Sequence, residues 1–142
     1  MGLFSGKPQI QVAGGAVFDL RAGKMLAAQR SYPITLANGW ELPGGKVERG
    51  ETHQQALVRE LQEELSITVA VGERVPGEWR INDRMTMRVF TAVITRGSPR
   101  SKEHNHIKWL APDQWNNVRW LINDVDAVKR SMAILRQRLD RR

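Results

Sequence analysis

The sequence contains no cysteine, no internal repeat, no low-complexity segment and no apolar run long enough to cross a bilayer. Without cysteine there are no disulfides, iron–sulfur clusters or cysteine-held zinc sites. Met1 to Gly6 is too short for a signal sequence, so the expectation is a cytoplasmic protein with no membrane partner. No linker composition interrupts the 142 residues, which suit one domain, 1–142, with a real core. Acidic residues are also in short supply, at 15 against 22 Lys and Arg, for a net charge of +7. A basic surface attracts polyanions. Nucleic acid, a nucleoside triphosphate and plain solubility are equally compatible with that charge. Yet the most acidic stretch, Glu48 to Glu64, lies inside this basic background. Carboxylates concentrated in a basic protein suggest a metal site.

What is present is globular in composition, 41% hydrophobic and 26% charged. Ile10 to Phe18 is apolar and β-branched and reads as a strand, and Lys24 to Gln29 follows the turn Arg21-Ala22-Gly23 to make a hairpin. Ser31 to Gly39 and Glu41 to Gly45 read as loop. Thr52 opens a helix, with Gln55 completing a capping box, and Leu57, Leu61 and Leu65 form its buried stripe. That helix is expected to end near Ser66. Thr68 to Val75, Thr86 to Thr95 and Ile107 to Leu110 read as strands, and Pro112 to Trp115 as a short helical turn. A final amphipathic helix is expected from Asn123 to about Leu139, with Val128, Met132, Leu135 and Leu139 on one face. Strands and helices in this order make an α/β layered domain around a mixed sheet.

Three carboxylates, Glu60, Glu63 and Glu64, stand at i, i+3 and i+4 on the first helix and so neighbour one another. Like charges this close need a partner or open water. Oxygen clusters of this kind suit hard cations such as Mg²⁺ or Mn²⁺. The plain alternative is a solvated acidic face. Upstream lies Pro43-Gly44-Gly45-Lys46, where glycine lets backbone approach a ligand closely and Lys46 adds positive charge. Taken alone, this loop is more often a turn than a phosphate site. The histidines (His53, His104, His106) read as polar surface groups, and Trp79 as core rather than as a base-pocket wall.

Helix and loop together resemble the signature of the Nudix family, G-x5-E-x7-R-E-U-x-E-E-x-G-U, where U is bulky and apolar. Gly45 and Glu51 take the first two places, Arg59-Glu60-Leu61 fills R-E-U, Glu63-Glu64 fills E-E, and Ile67 is the last U. One place departs: Ser66 stands where glycine is usual, at the expected helix end, where a left-handed cap favours glycine. Trp40-Glu41-Leu42-Pro43-Gly44-Gly45-Lys46 is also similar to the lead-in of the MutT-like branch.

The resemblance implies a Nudix α-β-α sandwich with a mixed sheet. It also implies Mg²⁺-dependent hydrolysis of a small nucleoside triphosphate to monophosphate and pyrophosphate. On that similarity Glu60, Glu63 and Glu64 would hold the metal and carry catalysis, helped by the carbonyl of Gly44 and by Glu103, whose alternative is an ordinary loop acid. Glu60 is the chosen base, with Glu63 or Glu103 open. Gly45, Glu51 and Arg59 would be structural, Arg59 pairing with Glu51. Arg30, Lys46, Arg84 and Asn123 would contact the substrate, Arg30 at the phosphates and Asn123 at the base. The implied substrate is 8-oxo-dGTP, with a cytidine triphosphate (CTP, dCTP or 5-methyl-dCTP) as the alternative. A non-catalytic module that senses a nucleotide or binds nucleic acid is a third reading, disfavoured because every box glutamate is kept. A monomer without a stable nucleic-acid complex is expected.

Overall fold

The computed structural model describes residues 9–31, 38–100 and 104–141. Its elements in chain order are β1 (Ile10–Asp19), β2 (Lys24–Arg30), β3 (Trp40–Glu41), β4 (Gly44–Lys46), α1 (His53–Leu65), β5 (Thr68–Arg74), β6 (Trp79–Arg80), β7 (Met85–Arg96), β8 (His104–Leu110) and α2 (Val125–Asp140). Two 3-10 turns, Pro112–Asn117 and Ile122–Asp124, precede α2.

The sheet runs β3-β2-β1-β7-β5, with β4 on β1, β6 on β7 and β8 on β2. β1 and β7 are parallel and the other pairs antiparallel, so the sheet is mixed. Alternation along β1 divides the core, since successive side chains point to opposite faces. Val12, Ala16 and Phe18 join Val128, Met132 and Leu135 of α2 on one face. Ala13 and Val17 join Leu57, Leu61 and Leu65 of α1 on the other. The sheet is therefore sandwiched between the two helices, the expected α-β-α order.

The loop expected between Glu41 and Gly45 carries parts of two short strands instead. Residues 44–46 pair with Val12–Gly14 of β1, and 40–41 pair with Ala28 and Gln29 of β2. A Cβ on Gly44 would overlap the Ala13 carbonyl oxygen. Glycine is what permits this pairing, and the same glycine removed the strand signal from the sequence. β1 pairs with β2 near the hairpin, through Phe18–Met25 and Asp19–Lys24, and takes β4 as its neighbour farther back.

α1 starts and stops for local reasons. The Thr52 hydroxyl accepts from the Gln55 N–H at 3.1 Å, and the Gln55 side chain accepts from the Thr52 N–H at 2.9 Å, closing the capping box. The helix ends at Ser66, whose φ of 57° and ψ of 36° are left-handed. α2 begins at Val125 rather than Asn123, because residues 122–124 close a 3-10 turn first.

A serine with positive φ carries a strain that glycine lacks. Replacing Ser66 with Gly is expected to leave stability unchanged or raise it by up to about 1 kcal/mol. Denaturant unfolding measures this, and a clear loss would show that the serine hydroxyl contributes more than the strain costs.

Candidate active site

The capped start of α1 fixes which of its residues face the sheet. Ala56, Leu57, Leu61 and Leu65 are buried, and Glu64 is buried among them at 8% exposure. Glu60, one turn earlier, has a side chain 17% exposed. Both carboxylates line a cavity of about 710 Å³ between α1, β4, β3 and the turn before α2. That volume is in the range of small-molecule sites. Glu63, on the same helix, is 59% exposed and does not reach the cavity. The i and i+4 residues thus turn inward and the i+3 residue stays in water.

Arg59 is the hub of the acidic stretch. Its Nε and one terminal nitrogen donate to the two oxygens of Glu51 at 2.8 and 3.0 Å, a bidentate pair. Its other terminal nitrogen donates to Glu60 Oε1 at 2.9 Å and to Glu63 Oε2 at 3.3 Å, with Glu48 at 3.6 Å. It also donates to the Lys46 carbonyl at 3.0 Å, tying β4 to α1. The guanidinium bond, followed by the Glu48 N–H, holds Glu51 below the usual carboxylate range. Glu51 first, and then the bond and charge of Glu60, hold the Arg59 pKa above its ordinary value.

Gly45 lies directly beneath Glu60, and a Cβ there would overlap that carboxyl group. Arg59 takes Oε1 of Glu60, and both carboxyl oxygens lie over Gly45. Lys46 is exposed at the end of β4 and lines the cavity with Gly44 and Gly45. Among the described residues no three His, Asp or Glu side chains are grouped to hold a cation. The oxygen donors at this end of the cavity, Glu60 and Glu64, are nevertheless the kind a hard divalent ion takes. Glu103 lies outside the described residues.

Two turns complete the cavity wall. One carries Leu121 to Asp124 and the other carries Ile81, Asn82 and Met85. Asn123 Nδ2 donates to the Ile81 carbonyl at 3.2 Å and joins the walls. Asn123 is not the N-cap of α2: that place falls to Asp124, which makes no side-chain cap bond. Asp124 instead turns inward, 7% exposed, and Oδ2 accepts from the Leu42 N–H at 2.9 Å. Burial pushes its carboxyl up to about 7, helped by the charge of Glu41 and opposed by the Leu42 N–H and Arg30.

Two expected substrate contacts stand differently. Arg30 lines the cavity, and its guanidinium is paired there with Glu41 at 2.7 Å. Arg84 is exposed and does not line the cavity; its N–H donates to the Asn82 side-chain oxygen at 2.8 Å and its carbonyl accepts from the Ile10 N–H at 2.6 Å. Asp124, Glu41, Ile81, Asn82, Met85 and Met87 line the cavity without having been picked out from the sequence. Asp124 was visible only as the neighbour of Asn123, and its burial had no local signal. His53, expected on the surface, is half-buried with its ring 6.1 Å from that of Phe90, and burial and then Arg88 and Arg74 lower its pKa. Trp79 packs at the core edge and donates to Asp126 at 2.8 Å.

A NUDIX domain model matches residues 9–131. A Mycobacterium tuberculosis protein named "Putative 8-oxo-dGTP diphosphatase 2" is 42% identical over 119 residues, covering 82% of each chain. The CTP pyrophosphohydrolase of Escherichia coli is 35% identical over 116 residues, covering 80% of this chain and 86% of the other. The solution structure of the E. coli ORF135 protein superposes with a TM-score of 0.77 at 31% identity, over 94% of this chain and 95% of that one. The chain belongs to the Nudix family. It is a hydrolase of phosphoric anhydrides, of a family that acts on small nucleotides and generally uses divalent metals.

The raised carboxyl of Asp124 makes a prediction for stability. An unfolded aspartate titrates near 3.8 and the folded one near 7, so the folded state holds the proton more tightly. The stabilisation from protonated Asp124 is complete below the unfolded value and is lost as pH rises through the folded value. Asp124→Asn keeps an acceptor for Leu42 and has no proton to lose. Melting temperatures of the two proteins are expected to diverge between about pH 4 and pH 8, the Asn variant becoming the more stable. Parallel curves would show that Asp124 titrates normally.

Proposed function

We propose that this chain is an Mg²⁺-dependent pyrophosphohydrolase of 8-oxo-dGTP, yielding 8-oxo-dGMP and pyrophosphate. The observation that carries the reading is one cavity lined by two chemically different sets of side chains. Glu60, Glu64 and Lys46 come from α1 and β4, and Asn123 and Asp124 from the turn before α2. A triphosphate and a base need such an arrangement, and the M. tuberculosis relative bears a matching name.

At the phosphate end Glu60 and Glu64, with the Gly44 carbonyl, would hold the cation, and Glu63, exposed on the same helix, is a further carboxylate beside them. Bound Mg²⁺ supplies charge neutralisation of the triphosphate and a more acidic water. Arg59 fixes Glu60 through Oε1, leaving Oε2 to take the proton of the attacking water. Water adds to an inner phosphorus, the P–O bond to the pyrophosphate breaks, and Lys46 offsets charge on the phosphate oxygens. Arg59 itself is structural, holding the loop through Glu51 and Lys46.

At the base end oxidation turns guanine N7 from an acceptor into an N–H donor while O6 stays an acceptor. The Asn123 carboxamide can accept from N7–H and donate to O6. Its N–H₂ bond to Ile81 uses one of two protons, so the other remains for the base. The buried Asp124 carboxyl group favours a second reading, a cytidine triphosphate, because a carboxyl oxygen, whether the group is protonated or not, accepts from the cytosine amino group. The E. coli CTP pyrophosphohydrolase is a relative of comparable coverage.

Four measurements test these statements. Glu60→Gln is expected to stay folded and lose about two or more powers of ten in turnover with saturating Mg²⁺. A folded variant with nearly full activity would remove Glu60 from the chemistry. EDTA should abolish activity without unfolding the protein, and hydrolysis that persists would end the metal assignment. Asn123→Ala, assayed with 8-oxo-dGTP, dGTP and CTP, should lower the 8-oxo-dGTP preference at least about tenfold. If Asp124→Asn instead removes CTP turnover that dominates in the wild type, the cytidine reading holds.

A further inference from the structure

Among the described residues two large aliphatic side chains are exposed: Val58 at 36%, on α1, and Ile122 at 86%. Ile122 is far the more exposed, and it stands at the cavity wall beside Asn123. An isoleucine left in water forgoes the stabilisation that burial brings. An exposed apolar group bordering a ligand cavity gains that stabilisation when the cavity fills.

The backbone around Ile122 is pinned on both sides. The Leu121 N–H donates to the Trp40 carbonyl at 2.8 Å, and the Asp124 N–H to the Leu121 carbonyl at 2.9 Å. The Asp124 carboxylate is held by Leu42. Ile122 is thus carried at the tip of a turn fastened to β3. The opposite wall is fastened as well, the Ile81 N–H donating to the Met85 carbonyl at 2.9 Å. The Asn123–Ile81 hydrogen bond sets the two walls beside one another. Ile81 is half-buried and lines the same cavity, so the two isoleucines are an apolar part of its rim, with Asp124 buried beside them.

We propose that Ile122 is a positioning residue for the substrate's base, its side chain lying against the flat face of the ring together with Ile81. This rests on the nucleoside triphosphate reading of the cavity and adds to it the group that holds the ring's face. Hydrogen bonds from Asn123 or Asp124 fix the base in its own plane but let it pivot about its edge. Apolar contact on the face removes that freedom. Every base has an apolar face, so Ile122 contributes affinity without choosing among bases. The occupant is the base rather than another apolar ligand because the rim opens into the same cavity as Glu60, Glu64 and Lys46.

Steady-state kinetics of Ile122→Ser and Ile122→Val test this, with 8-oxo-dGTP and CTP as substrates. Inorganic tripolyphosphate, which has no base, serves as competitive inhibitor. For Ile122→Ser the KM of each hydrolysed nucleotide is expected to rise about tenfold with kcat changed by less than about twofold. Tripolyphosphate inhibition and melting temperature should not move. Ile122→Val, which keeps a branched apolar side chain, should recover most of the loss. An unchanged KM in a wild-type background that turns over nucleotides would overturn the proposal and leave the function standing. Equal weakening of tripolyphosphate would overturn it too, since the residue would then serve the whole cavity. A wild-type protein that neither binds nor hydrolyses nucleoside triphosphates would remove the function, and the role of Ile122 with it.

Discussion

The site depends on a close approach that only glycine allows. β4 lies on β1 because residue 44 has no Cβ to meet the Ala13 carbonyl, and Glu60 lies over residue 45 because it too has none. Side chains at either place would push β4 from the sheet or α1 from β4. With both absent, the loop, the strand and the helix are close enough for Arg59 to reach the Lys46 carbonyl and Glu51 together. The acidic helix then forms one wall of the cavity rather than an outer face.

That closeness has an electrostatic cost, and Arg59 offsets it. Glu48, Glu51, Glu60 and Glu63 all lie within 3.6 Å of its guanidinium nitrogens. The planar, multi-donor geometry of arginine suits this role in a way a lysine point charge would not. The partly buried Glu51 pair is well formed because both oxygens are bonded, and removing either partner would leave an uncompensated charge. Asp124 solves a similar problem differently. Buried without a cation as close, it meets the cost of desolvation by holding its proton more tightly.

Local features were legible in the sequence. The Thr52 cap, the leucine stripe of α1, the left-handed end at Ser66 and the hairpin after Asp19 each depend on residues a turn or less apart. The carboxylates were legible by spacing, although spacing alone did not separate Glu60 and Glu64, which turn into the cavity, from Glu63, which does not. What was missed depends on contacts between distant segments. Glu41 to Gly45 look like loop because the strand character of 40–41 and 44–46 comes from pairing with β2 and β1, not from β propensity. The amphipathic pattern carries α2 back to Asn123, whereas residues 122–124 form a 3-10 turn beside the bond from the Leu121 N–H to the Trp40 carbonyl. Aspartate is usually exposed, so nothing local marked Asp124 as the buried one. Arg30 and Arg84 carried the right charge, but the salt bridge to Glu41 and the exposed turn decide where they stand.

Much of the excess positive charge is placed on aromatic rings. Lys108 stands 5.3 Å from the Trp40 ring, Lys129 5.2 Å from Trp115, Arg130 5.8 Å from Trp79 and Arg138 5.3 Å from Phe18. Three of these cations belong to α2, so they fasten that helix to the strands and turns beneath it. Attraction to a ring face is short-ranged and partly shielded from water. Long-range attraction of a polyanion falls away within about 8 Å at physiological ionic strength. Concentrated salt therefore separates two roles of one charge: it weakens the attraction of a polyanion from a distance and leaves the docking of α2 largely intact.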